Sequence, residues 1–225
     1  ARGLASLHDD QGRVTVPGVY DGVPELPDAI RSQWQGLAFD HQSFLGDVGL
    51  SEPAGEADRT PIEMIWSRPT CDVNGIWGGY TGEGFKTVLP SKASAKISFR
   101  LVGDQDPHAI RDSFRQMVRD ALPADCSVTF TGHGAGHASV TETDAPAFEA
   151  ARTALSAEWG VPAAYVGCGG SIPIAGHFQE ILGTTPMLIG FGRDDDQIHS
   201  PNEKYDVESF HKGIRSWARV LAALT

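Results

Sequence analysis

From residue 95 to residue 102 the chain alternates with a period of two. Ile97, Phe99 and Leu101 fall on one side and Lys96, Ser98 and Arg100 on the other. Such alternation marks a strand with one buried and one wet face. Asp106-Pro107 then opens a run in which Ile110, Phe114, Met117, Val118 and Ala121 recur at helical spacing. The acid reads as the N-cap and the proline as the first helical residue. An amphipathic helix directly after a half-buried strand calls for a sheet with a helix packed on it. Residues 62–66, 85–90 and 126–131 read as further strands, so 61–138 is expected to be a compact α+β unit. If 85–90 and 95–102 form a simple hairpin, Thr87 stands opposite Arg100. A hydroxyl beside a guanidinium suits a carboxylate grip. A solvated sheet face is the other reading of the same pattern.

The flanks read differently. Residues 1–8 have helical spacing with no N-cap before them, and the chain begins at Ala1 rather than Met. A helix without a start signal is expected to be a cut helix, so the chain is expected to be a fragment. Residues 9–12 are a turn. Residues 13–60, rich in glycine, proline and acids, are expected to be extended, with short amphipathic pieces at 30–34 and 44–48. Gly75, Gly78, Gly79, Gly82 and Gly84 suggest a phosphate loop, but no G-x-G-x-x-G is present and Phe85 follows Gly84 where a Walker lysine would stand. A glycine-rich turn is the expectation there.

Beyond residue 138 helix and strand patterns alternate. A helix over 146–159 is expected to be capped by Asp144 and stopped by Gly160. A strand follows at 163–166, then a tight turn from Gly167 through Cys168, Gly169, Gly170 and Ser171, a helix over 174–182, and an apolar strand at 186–191. A last helix starts at Val207. Its stripe of Val207, Phe210, Ile214, Trp217, Leu221 and Leu224 is expected to pack on a sheet. This is an α/β layer with too few strands for a buried parallel sheet, hence an incomplete one. The fold class is therefore α/β, an α+β unit joined to part of an α/β layer.

The loop 193–204 carries the densest chemistry. Asp194, Asp195, Asp196, His199 and Glu203 follow the apolar run 186–191, and loops at the ends of buried strands are where ligands collect. His199 is the natural metal ligand, with carboxylates near enough in sequence to orient it. An acidic solvated loop with an incidental histidine is the bland alternative. Ser171, the acids and His199 also follow the Ser…Asp…His order of α/β-hydrolases, but G-x-S-x-G fails because Pro173 replaces the second glycine. Ser171 then reads as a helix cap whose neighbouring N–H groups could hold an anion. His133 and His137 are separated by glycines that spoil a helical metal pair, which leaves His133 as a single loop histidine within reach of a ligand.

Charge narrows the partners. Lys and Arg total 18 against 29 Asp and Glu, a net charge of −11, so nucleic acid and anionic membranes are poor partners. No apolar run approaches the ~20 residues that span a bilayer. Three cysteines without a C-x-x-C suggest free thiols and a reducing, cytoplasmic setting.

Six segments in order, Arg68-Pro69-Thr70, Gly75-Ile76-Trp77-Gly78-Gly79, Lys86-Thr87-Val88-Leu89-Pro90, Ile97 to Val102, Gly169-Gly170-Ser171-Ile172-Pro173 and His199-Ser200-Pro201-Asn202-Glu203, make the chain resemble the M20 metallopeptidases, most nearly their carnosinase-like dipeptidases. The resemblance implies a catalytic domain with two divalent metal ions, usually zinc, and an inserted lid domain that mediates homodimerisation. It implies that 1–138 is mostly lid and 139–225 the closing segment of the catalytic domain. His199 matches the last metal ligand. Thr87 and Arg100 match the grip on a dipeptide's C-terminal carboxylate, His133 a lid histidine near the substrate, and Gly170 and Ser171 the turn lining its pocket. The family's H-x-D ligands, Glu-Glu pair with its general base, and further Asp lie upstream of the lid. The chain is therefore expected to be inactive by itself. A non-enzymatic dimerisation module and a serine hydrolase are the rival expectations.

Overall fold

A computed structural model describes residues 2–170 and 172–225, Pro173 by its backbone alone. Contacts divide the chain into two compact units. One comprises Ala1–Val140 with Gly167–Pro173, and the other Thr141–Val166 with Ile174–Thr225.

The first unit opens with α1 (Arg2–Ala5), then α2 (Asp28–Gln35), α3 (His41–Gly46) and α4 (Pro61–Ser67). Asp40 caps α3 by accepting from the backbone N–H groups of Gln42 and Ser43. Helix α4 replaces the strand expected at 62–66. Thr60 accepts from the Glu63 N–H while the Glu63 carboxylate accepts from the Thr60 N–H, and Pro61 stands at the first helical position. This capping box, with its proline, outweighs the β-branched residues that suggested a strand.

Strands β1 (Thr70–Gly78) and β2 (Ala93–Arg100) form an antiparallel pair, with a register shift between Val73 and Gly75. Arg100 lies opposite Thr70, not Thr87. The expected 85–90 strand is absent: that segment belongs to the long connection between β1 and β2, without a ladder of its own. Helix α5 (Pro107–Asp120) follows with the expected cap, Asp106 accepting from the His108 and Ala109 N–H groups. Phe99 of β2 meets Phe114 of α5 edge-on at 5.5 Å between centroids. Leu7, Val14, Val16, Val19, Cys71 and Ile110 form the buried cluster, with Ile97, Phe99, Leu101, Phe114 and Met117 packed around it. The apolar face of β2 is thus the expected one. Residues 7–19, expected to be the end of a helix and the start of an extended stretch, supply much of the core. Residues 126–131 form no ladder among the described residues.

The second unit is built on α6 (Pro146–Trp159), α7 (Pro173–Leu182) and α8 (Val207–Ala223). Helix α6 has the expected span and ends on Gly160 in the left-handed region, but its N-cap is Ala145 rather than Asp144, with no side-chain cap bond. The expected strands at 163–166 and 186–191 find no partner among the described residues. Helix α8 turns a different face inward from the one expected. Ser209, Gly213, Ser216 and Val220 are buried, whereas Phe210, Ile214, Trp217 and Leu221 are exposed. Small residues let α8 approach closely: the Trp159 indole donates to Ser216 Oγ at 2.9 Å and stacks on Phe191 at 5.8 Å. Glu158 of α6 binds Arg215 and Arg219 of α8 at 2.7 and 2.8 Å.

Candidate substrate-binding and metal-ligand residues

Arg100 ends β2 on the polar face, exposed, because its neighbours Phe99 and Leu101 turn into the core. Among the described residues its guanidinium has no hydrogen-bond or ion-pair partner, so it is free to take an anion. Thr87 is also exposed, in the β1–β2 connection. The two belong to one unit, but the ladder does not set them side by side. His133 is exposed, three residues after Phe130. Phe130 is held against α5 by Phe114 at 6.5 Å and by the Arg115 and Arg119 guanidiniums at 5.5 and 5.2 Å from its ring centre. Cation–π contact with two arginines anchors Phe130 on α5. Gly170 is exposed and belongs to this same unit. Ser171 lies outside the described residues.

His199 belongs to the second unit and sits exposed on a tight loop. Gln197, His199 and Asn202 all have left-handed backbones, with φ of 52°, 64° and 64°. Non-glycine residues seldom adopt this conformation, and its cost is tolerated only where surrounding bonds enforce it. Those bonds come from Asp194–Asp196, a single 3-10 turn, and from Lys204. Asp196 is buried and accepts from the Arg193 N–H at 2.8 Å and the Lys204 ammonium at 3.0 Å. The Lys204 N–H donates to the Asp196 carbonyl at 3.0 Å. The Arg193 side chain reaches α8, with Nη2 3.2 Å from Asp206 and Nε donating to Ser209 at 3.3 Å. The Arg193 N–H and Lys204 hold the Asp196 carboxyl below its usual value, and Asp196 then Asp195 raise Lys204 above its own. The sequence pointed to His199 but not to this framework. Its signal was there, an Asp and a Lys of opposite charge bracketing the histidine.

Asp195 and Asp196 are therefore engaged with Lys204, and Asp196 also with the Arg193 N–H, rather than grouped around His199. Among the described residues no three His, Cys, Asp or Glu side chains gather as metal ligands. The spacing H-x-D does occur, in His8-Asp9-Asp10, on the exposed turn after α1, and no third ligand joins His8 and Asp10 among the described residues. One imidazole falls short of the three or four protein ligands of a zinc site, so the described residues do not by themselves fit the metal.

The sequence profile of Peptidase family M20/M25/M40 matches residues 5–223, and the chain belongs to that family. The Cys-Gly metallodipeptidase DUG1 of Saccharomyces cerevisiae is 30% identical over 97% of this chain and 46% of its own length. The Beta-Ala-His dipeptidase of Homo sapiens is 27% identical over 96% of this chain and 43% of its own. Among solved structures, an M20 family metallo-carboxypeptidase from Sulfolobus solfataricus aligns with a TM-score of 0.83 at 27% identity, over 98% of this chain and 50% of that one. Human carnosine dipeptidase 1 aligns at 0.75 and 26%, over 98% and 47%. The chain thus spans about half the length of the relatives it matches. Its α/β class is that of these neighbours. No described helix is long and apolar enough to cross a membrane.

Proposed function

We propose that the complete protein is a metal-dependent dipeptidase or related amidohydrolase that cleaves an amide bond next to a free C-terminal carboxylate. The exposed, unpartnered guanidinium of Arg100 carries this reading, together with the dipeptidase names of the relatives. A planar guanidinium binds a carboxylate through two parallel N–H donors, which fixes both position and orientation. Thr87 adds a hydroxyl donor, His133 a second polar contact and Gly170 with Ser171 the lining of the substrate backbone. His199 is assigned as one ligand of a divalent metal, zinc in this reading, with the other ligands and the general base outside this chain. The chain by itself is then inactive.

In the same reading 1–138 is the lid, with 61–138 its compact part, and 139–225 closes the catalytic domain; the break between units at Val140 and Thr141 supports this boundary, while Gly167–Pro173 group with the first unit. Val73, Ile76, Trp77, Phe85, Val88 and Leu89 leave an apolar surface on the β1–β2 hairpin, which supports homodimerisation through the lid. The setting proposed is cytoplasmic. The deciding experiment compares dipeptides with free and amidated C-termini as substrates of the enzyme expressed from the complete reading frame. Equal turnover of the two removes the carboxylate grip.

A further inference from the structure

The turn of Gly167, Cys168, Gly169 and Gly170 is flanked in sequence by the second unit, yet it is carried by the first. It rests on the C-terminal end of α4. A Cβ at Gly167 would lie 2.1 Å from the Trp66 carbonyl oxygen and 2.5 Å from Trp66 Cβ. One at Gly169 would lie 2.9 Å from the Ile65 oxygen, whereas at Gly170 the nearest atom would be Cys168 Sγ at 3.2 Å. Gly167 and Gly169 do not have left-handed backbones. Space, not φ, demands glycine at these two positions. The last carbonyls of a helix lack intrahelical partners, and only a backbone without side chains can lie this close over them.

The seat itself is tied down at both ends. Glu63 in the first turn of α4 closes the capping box and pairs with Arg31. Just past the helix, buried Arg68 binds buried Glu56 with Nε 2.9 and 3.1 Å from its oxygens. Trp66 itself packs edge-on against buried Trp34 at 5.1 Å.

We infer that α4 is the seat of this turn and that Gly167 is a positioning residue, setting where Gly170 meets the substrate. This rests on the proposed role of Gly170 and Ser171 at the substrate. The experiment uses the enzyme from the complete reading frame with Gly167→Ala, Gly169→Ala and Gly190→Ala. An added Cβ at Gly190 meets open space, so that variant controls for the loss of glycine itself. Two readouts are taken, dipeptide kinetics and the labelling rate of the exposed Cys168 thiol. A displacement of about 1 Å costs on the order of a hundredfold. Gly167→Ala is expected to lose that much in kcat/KM, chiefly through KM, with Gly169→Ala intermediate, Gly190→Ala like wild type, and Cys168 labelling changed in the same order. The milder Gly169→Ala variant keeps the test sound if Gly167→Ala does not fold. Changed labelling with an unchanged KM would overturn the positioning role and with it the assignment of this turn to the substrate. Unchanged labelling and KM in both variants would overturn the seat and leave the carboxylate grip of Arg100 standing.

Discussion

Asp196 and Lys204 close the His199 loop twice, once through backbone and once through side chains. The Lys204 N–H donates to the Asp196 carbonyl, and the Lys204 ammonium stands 3.0 Å from the buried Asp196 carboxylate. The exposed Lys204–Asp195 pair adds little, because solvent screens it. Three left-handed residues inside the closed loop persist because the ends cannot separate.

Removing the Asp196 carboxylate should therefore free the loop. Asp196→Ala is expected to speed amide exchange at Ser200 and Lys204 on the order of tenfold, with α6 and α8 unchanged. The pH dependence has a definite sign. Asp196 is held below the ordinary aspartate value of 3.8, so its stabilisation is complete above that pH and fades as pH falls through the lowered value. Lys204 is held above the ordinary 10.5, so its share is complete below that pH and fades as pH rises through the raised value. Protection within 197–203, the slowing of exchange relative to an unstructured chain at the same pH, should be constant between these limits and fall outside them. Loss of protection near neutral pH would assign the closure to other groups.

Arg100 separates a substrate grip from a solvated strand end. Its exposed side chain leaves the core untouched, so Arg100→Ala and Arg100→Lys should shift stability by no more than about 0.5 kcal/mol in thermal melts. A hydrogen bond to a charged group contributes about 1.5–3 kcal/mol, or roughly ten- to hundred-fold in kcat/KM. The complete enzyme should lose that much with either variant, and less on a substrate whose C-terminus is amidated. Full activity with an unchanged preference for the free carboxylate would return Arg100 to the solvent.

Zinc should bind this chain weakly. His199 offers one imidazole, and Asp195 and Asp196 are already engaged by Lys204. Calorimetric titration of the 225-residue chain should show no tight stoichiometric complex. A tight complex that disappears in His199→Ala would mean that the chain assembles a full site.

The three thiols should divide sharply. Burial, and then the neighbouring Asp72 carboxylate, push the Cys71 thiol up to about 12, while Cys126 and Cys168 are exposed. The thiolate is the reactive form, so a disulfide reagent at pH 8 should titrate Cys126 and Cys168 and reach Cys71 only after unfolding. Reaction of all three in the native protein would place Cys71 outside the core.

Helices were legible in the sequence wherever their own ends carried the signal. Asp106-Pro107 marked α5, Gly160 ended α6 and residue 207 began α8, because helical hydrogen bonds and caps join residues a few positions apart. The same kind of signal was present at Thr60-Pro61-Ile62-Glu63, although a β-branched pattern suggested a strand there. Strand pairing was not legible. Alternation assigned Ile97, Phe99 and Leu101 to the core, but only the folded chain set Arg100 opposite Thr70. Nor did an apolar stripe reveal which face of α8 is buried, because Trp159 and Phe191 reach that helix from distant parts of the chain. The candidate site divides in the same way. The residue types of Arg100 and His199 state what each can bind. The seat of the Gly167 turn on α4 and the closure of the His199 loop depend on tertiary structure, because packing and buried ion pairs join residues that local sequence rules do not connect.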